Sequence, residues 1–236
     1  MPLTTLITGG TRGIGHAVAT RLLDRGHSVA ITGTTSSGVV RAEHALVERC
    51  GDARRVLGLV CNVRDHSDAE LAIQTVIARF GGLDVLVNNA GVGVGQPISE
   101  MPHDEWQRII GTNLTGVFNC CRAAIPHLVE RGGGWIINVS SLASKNPFAG
   151  GAAYCASKAG LNAFSEALMQ ELRPSNIRVS YVLPGSVATG FNGRTPETGS
   201  DWKLSPDDVA QVIENLLDFP ARSLPSRVEI RPSRPK

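Results

Sequence analysis

TTLITGGTRGIGHAVATRLLDRG, residues 4–26, is the stretch whose reading decides the fold. It begins with a β-rich run, TTLIT (4–8), turns through glycines and continues as an amphipathic helical run that stops at Gly26. Within the turn, TGGTRGIG (8–15) spaces Gly9, Gly13 and Gly15 as G-x-x-x-G-x-G, not as the G-x-G-x-x-G dinucleotide fingerprint. The physics is shared. Glycines permit a tight turn and let backbone approach a pyrophosphate, while the following helix offers unpaired N–H groups to an anion. Taken alone, the glycines also suit a merely tight strand–helix turn, so the rest of the chain has to decide.

Outward from this unit the same alternation repeats. SVAIT (28–32), VLGLV (56–60), DVLVN (84–88), WIINVS (135–140), RVSYV (178–182) and RVEI (227–230) read as further strands. Longer amphipathic runs separate them, among them SDAELAIQTVIARFG, a single helix over about 103–130, and a helix over 152–173. Strands that are apolar nearly throughout, each followed by a helix, imply a parallel sheet covered on both faces. With right-handed crossovers this is an α/β, doubly wound sheet of about seven strands. No internal repeat or linker precedes residue 190, so residues 1–236 are expected to form one domain. TGFNGRTPETGSDWK (189–203) is the one loop-like interruption, and residues 231–236 form a Pro-rich tail.

The 236 residues include 42% hydrophobic and 19% charged positions, enough for a sizeable core and too apolar for disorder. A net charge of +2 with no basic stripe argues against nucleic acid as a partner. No window approaches the roughly 18 consecutive apolar residues of a membrane span. The N-terminal run lacks the charged start of a secretory signal and meets glycines early, so a cytoplasmic location is expected. Cys50, Cys61, Cys120, Cys121 and Cys155 show no CxxC or His-linked spacing; they read as small hydrophobes in a reducing compartment, with no metal site.

From here the chain resembles the short-chain dehydrogenase/reductase family, whose opening T-G-x-x-x-G-I-G is matched by TGGTRGIG. The resemblance continues through NNAG (88–91), Asn113 in GTNLTG, the serines of VSS, YCASK (154–158) and PG (184–185). It implies a Rossmann-like three-layer sandwich binding a nicotinamide cofactor. Gly9, Thr11, Arg12, Gly13, Ile14 and Gly15 would cradle it, with Asn62 and Val63 at the adenine, Asn89, Ala90 and Gly91 lining its site beside the central sheet, and Tyr154 and Lys158 at its nicotinamide end, Lys158 on the ribose hydroxyls. Pro184, Gly185, Val187 and Thr189 would hold the nicotinamide end, followed by a substrate lid over 189–203. Homodimers or homotetramers built on the two long helices are implied too, with Ala163, Ala167, Leu168 and Leu172 either in that contact or facing the core.

An NAD enzyme usually places an acid after its second strand, to receive the ribose diol. Here ITGTTSSG (31–38) contains none, and Arg12 stands in the glycine turn. A guanidinium with hydroxyls from Thr34, Thr35 or Ser36 suits a 2′-phosphate, so NADP(H) is the expected cofactor.

Tyr154 and Lys158 are four apart on a helix, hence on one face one turn apart. Such a lysine would pull the tyrosine pKa down from about 10 and tune the phenol for proton transfer to a carbonyl oxygen. Ala152, Ala153, Ala156 and Ala159 would leave room around the pair. By resemblance Ser141, and not its neighbour Ser140, orients the substrate oxygen, and Asn113 supports a proton relay ending at Lys158. The expected activity is reduction of a small-molecule carbonyl to an alcohol, or the reverse.

The rivals are weaker. A non-catalytic NADP(H) sensor or scaffold would typically have lost Tyr154 or Lys158. A hydrolase lacks its G-x-S-x-G elbow and a placed histidine; all six histidines read as solvated. An epimerase or dehydratase would need a larger C-terminal domain. Within the enzyme reading, 3-oxoacyl-[acyl-carrier-protein] reductases and small hydroxy-acid dehydrogenases are the alternatives. The ending PSRVEIRPSRPK departs from the former and looks more like the latter.

Overall fold

Every β-rich run forms a strand, and all seven strands join one parallel sheet in the order β3-β2-β1-β4-β5-β6-β7. They are β1 (Thr4–Ile7), β2 (Ser28–Gly33), β3 (Val56–Val60), β4 (Val85–Asn88), β5 (Gly134–Val139), β6 (Ile177–Pro184) and β7 (Arg227–Ile230). This computed structural model describes residues 2–93, 95–191 and 201–234.

The alternation of side chains along each strand builds the three layers. Leu6, Ala30, Leu86 and Ile136 point to one face, and their successors Ile7, Ile31, Val87 and Ile137 to the other. The first set packs against α3 (His66–Phe80), α5 (Gly116–Glu130) and α6 (Ala152–Leu172); the second against α1 (Gly13–Asp24), α2 (Ser36–Cys50) and α7 (Pro206–Leu216). Both faces are buried, which is why these strands are apolar throughout and not alternating. Polar side chains set several helix starts: Thr35 caps α2, Asp65 caps α3, and Ser205 with Asp208 forms a capping box on α7.

The single helix expected over 103–130 is divided. α4 (His103–Ile110) passes through a π-helical turn, Gly111–Thr115, into α5. The backbone stays right-handed on both sides, so this is a local change of hydrogen-bond register and not a break. Its effect is to turn Asn113 fully inward. On α6, Leu168 and Leu172 belong to the core, whereas Ala163 and Ala167 stay on the exposed face.

Strand order reverses between β1 and β4. In a doubly wound sheet the crevice at the carboxyl ends of such strands is the ligand site. The glycine turn leaves β1 there, NNAG leaves β4, and the VSS loop leaves β5.

Candidate active site

The glycine turn is fastened to the β4 loop by Thr8. Its hydroxyl oxygen accepts from the backbone N–H groups of Asn89 and Ala90, both at 3.0 Å. In return, Asn89 Nδ2 donates to the carbonyls of Thr8 and Gly9, each at 3.0 Å. Gly9 holds φ +64°, and a Cβ there would lie 2.9 Å from Ala90 Cα, so a side chain is excluded twice over. Arg12 occupies the N-cap of α1 in extended conformation, and no side chain caps the helix. The first-turn N–H groups are thereby left for an anion.

Fifteen of the expected cofactor residues line one cleft of about 660 Å³ together with Ser141, Tyr154 and Lys158: Gly9, Thr11, Arg12, Gly13, Ile14, Thr34, Asn62, Val63, Asn89, Ala90, Gly91, Pro184, Gly185, Val187 and Thr189. Gly15 lies beneath the surface, where a Cβ would meet Asn89 Nδ2 at 2.5 Å. Thr35 and Ser36 are exposed outside the cleft, and Thr35 Oγ1 is engaged by Gly38 N–H at 3.3 Å as the cap of α2. Thr35 nevertheless borders an adjoining recess shared by Arg12, His16, Thr34 and Arg41. Arg41, given no role by the sequence, therefore stands beside Arg12, together with His16. His16 is half-buried and not solvated as expected, and burial lowers its pKa. His27 likewise is engaged, accepting from the Leu3 N–H at 3.0 Å.

At the other end of the cleft four polar residues gather. Tyr154 and Lys158 lie one turn apart on α6, and the Ser141 side chain faces Tyr154 closely enough to favour its phenolate. Asn113 accepts from Val92 N–H (2.8 Å) and donates to Val92 O (2.8 Å) and to Ser157 Oγ (3.0 Å). It thus ties the π turn both to the loop after NNAG and to α6. A Cβ on Gly91 would lie 3.5 Å from Asn113 Oδ1 and 3.7 Å from Lys158 Nζ, which shows how closely these groups flank one glycine.

One expectation is corrected. Burial raises the Tyr154 pKa in the free protein, and the nearby Ser141 side chain only partly opposes it. Lys158 does not pull it down because its ammonium is directed elsewhere, donating to Val139 O at 2.7 Å. Burial also lowers Lys158 itself, to about 8. A second correction concerns the alanines. Ala152, Ala156 and Ala159 are exposed and Ala153 is in the core, so none of them lines the cleft.

The neighbouring serines separate cleanly. Ser140 is buried and gives its hydroxyl proton to Asn162 Oδ1 at 2.6 Å, whereas Ser141 is half-buried and faces Tyr154.

Further residues line the cleft without having been assigned to it from the sequence, including Thr32, Gly33, Cys61, Arg64, Val92, Arg108 and Thr112, and so does Phe191 of the expected lid. Phe191 brings its ring centroid to 5.8 Å from that of Tyr154. Its place in the expected lid was the available signal, though residues 192–200 of that lid lie outside those described. The two ends of the segment are held together where Val187 pairs with Leu204. Arg64 directly follows Asn62 and Val63 on the loop after β3, whereas Arg108 and Thr112, before and within the turn at 111–115, had no local signal. Cys61, Cys120, Cys121 and Cys155 are buried, as expected for small hydrophobes; Cys50 is half-buried.

The Cβ-excluding cradle, the uncapped helix start and the basic recess fit a nicotinamide dinucleotide. A switch-point cleft of this kind, with a Ser-Tyr-Lys group at one end, defines a dinucleotide-dependent α/β oxidoreductase. Residues 3–199 match the family described as short chain dehydrogenase. The chain belongs to that family. A 3alpha-hydroxysteroid dehydrogenase of Mediterraneibacter gnavus is 37% identical over 192 residues, 81% of this chain and 76% of the relative. The NADP-dependent 3-hydroxy acid dehydrogenase YdfG of Salmonella typhi is 32% identical over 238 residues, 96% of this chain and 94% of the relative. In structure, the alcohol dehydrogenase of the archaeon Thermococcus sibiricus complexed with 5-hydroxy-NADP superposes with a TM-score of 0.91 at 28% identity, covering 100% of both chains.

Proposed function

We propose that the protein is an NADPH-dependent carbonyl reductase, acting on ketones, aldehydes or 3-oxo compounds and reversible as an alcohol dehydrogenase. The observation that carries this reading is the convergence of Ser141, Tyr154 and Lys158 at one end of the glycine-lined cleft. The cofactor, when bound, supplies the hydride that reaches the carbonyl carbon. Tyr154 supplies the proton to the oxygen. Because burial raises its pKa, Tyr154 remains a phenol at neutral pH with that proton available. General acid catalysis of this kind contributes about 10²–10⁴-fold.

Ser141 donates to the same oxygen as charge develops on it, an effect of about 10²–10³-fold for one such donor. After transfer, the Lys158 charge stands within 5.9 Å of the centre of the phenolate ring. Lys158 also serves the ribose hydroxyls. Asn113 holds the Val92 loop and α6 in register, the geometric basis of any relay through this site.

Selection of NADPH over NADH rests on Arg12, with Thr34 and, from the recess, His16 and Arg41. The relatives that use NADP support this choice. A homodimer or homotetramer is the proposed assembly; Phe118, 45% exposed on α5, and the outward Ala163 and Ala167 of α6 are available to it.

The reading is tested by following NADPH oxidation against a panel of ketones, aldehydes, quinones, short 3-oxo esters and 3-oxo acids. Turnover of one class with saturation kinetics supports it. NADPH binding with no turnover of any would leave a cofactor-binding protein without chemistry, and the proposal would fail.

A further inference from the structure

A serine that must aim its hydroxyl at a substrate oxygen should not stand on an unsupported loop. Ser141 begins the loop between β5 and α6, and its backbone is held by a chain of hydrogen bonds. Ser144 Oγ donates to Ser141 O at 2.6 Å. Asn162 Nδ2 donates to Ser144 Oγ at 2.8 Å, and Asn162 Oδ1 accepts the Ser140 hydroxyl at 2.6 Å. One amide therefore clasps the loop on both sides of Ser141. No motif in the sequence points to it.

We propose that Asn162 is a positioning residue for the reaction, fixing Ser141 relative to Tyr154. The inference rests on the assignment of Ser141 and Tyr154 made above. Asn162 lies on α6 at intervals of four after Tyr154 and Lys158, so all three share one stripe of a 21-residue helix. A rigid helix thus carries the acid and, one turn beyond the lysine, the clasp that sets the serine against that acid.

The chemistry requires an amide. Ser144 has one proton, and it goes to Ser141 O because Asn162 Nδ2 already fills the acceptor side of that hydroxyl. A carboxylate at 162 would draw the Ser144 proton to itself and release the Ser141 carbonyl. An apolar residue there would release both serines.

The test is a double-mutant cycle between Asn162→Leu and Ser141→Ala, with kcat, NADPH affinity and the pH profile of alcohol oxidation measured for each. Asn162→Leu is expected to lower kcat about ten- to hundredfold, the scale of a small misplacement at a reacting centre. NADPH affinity should stay unchanged. The acid limb of the oxidation profile should move to higher pH, because a Ser141 side chain displaced from Tyr154 favours phenolate less. In the Ser141→Ala background, Asn162→Leu should cost nothing further. Ser144→Ala should behave like Asn162→Leu, and Ser144→Thr, which keeps the hydroxyl, should restore most of kcat.

Independent, multiplying losses, or a folded Asn162→Leu enzyme with wild-type kcat and pH profile, would overturn the proposal. Should the leucine variant not fold, Asn162→Asp carries the same cycle with the same criteria. A silent Ser141→Ala would show that the active-site assignment had failed first; full loss in Ser141→Ala beside a silent Asn162 variant would defeat only this inference.

Discussion

Lys158 Nζ lies 5.9 Å from the centre of the Tyr154 ring and donates its hydrogen bond to the Val139 carbonyl at 2.7 Å. Lys158 is 4% exposed and its ammonium has no carboxylate partner among the described residues. Burial lowers its pKa from 10.5 to about 8. Between those values the unfolded chain binds a proton that the folded chain lacks, so stability rises with pH across that window. Below about pH 8 both states hold the proton, and the cost of burying the charge, on the order of 3 kcal/mol, is fully present. Lys158→Met removes this dependence. Urea unfolding at pH 7 and pH 9.5 should show wild type gaining roughly 2 kcal/mol more than the variant. Parallel changes in the two proteins would contradict the reading.

Arg12 Nη1 donates to Gly190 O at 3.1 Å, and the same side chain borders the recess with His16 and Arg41. Its contact with Gly190 affects both cofactors alike and cancels in their ratio. A charge-assisted bond to a 2′-phosphate, about 1.5–3 kcal/mol, does not cancel. Arg12→Ala should therefore reduce the NADPH-over-NADH ratio of kcat/KM about ten- to hundredfold. Arg41→Ala should reduce it by less, and an unchanged ratio in Arg12→Ala would refute the phosphate assignment.

Thr8 is 2% exposed, and its hydroxyl is the acceptor for two backbone N–H groups. Thr8→Val would leave both amides, which belong to half-buried residues, without that partner, at up to about 1–3 kcal/mol each. Lower thermal stability and weaker NADPH binding are expected of it, whereas Thr8→Ser, which keeps the oxygen, should stay near wild type. Equal melting temperatures for the two variants would count against the role given to this hydroxyl.

The fold was legible because burial on both sheet faces leaves a simple mark. Leu6 beside Ile7, and Ile136 beside Ile137, are apolar neighbours that serve opposite cores. The site was legible where one local constraint selects a residue, as at Gly9, or where helix spacing suffices, as for Tyr154 and Lys158. Other features depend on relations between distant segments. The π turn at Gly111–Thr115 shares its helical backbone with its neighbours, so periodicity does not mark it. The direction of the Tyr154 pKa depends on where the Lys158 proton is directed and how deeply the phenol lies, neither of which a spacing of four contains. The Asn162 clasp joins residues 18–22 positions apart.

The Tyr154 phenol is the proposed proton donor, and removing its hydroxyl is the most direct test. Tyr154→Phe keeps the ring and removes only the hydroxyl, so NADPH binding, read by fluorescence titration, should be unaltered. Turnover of the best carbonyl substrate should fall by about 10²–10⁴-fold at saturating NADPH. Tight NADPH binding with turnover close to that of wild type would contradict it.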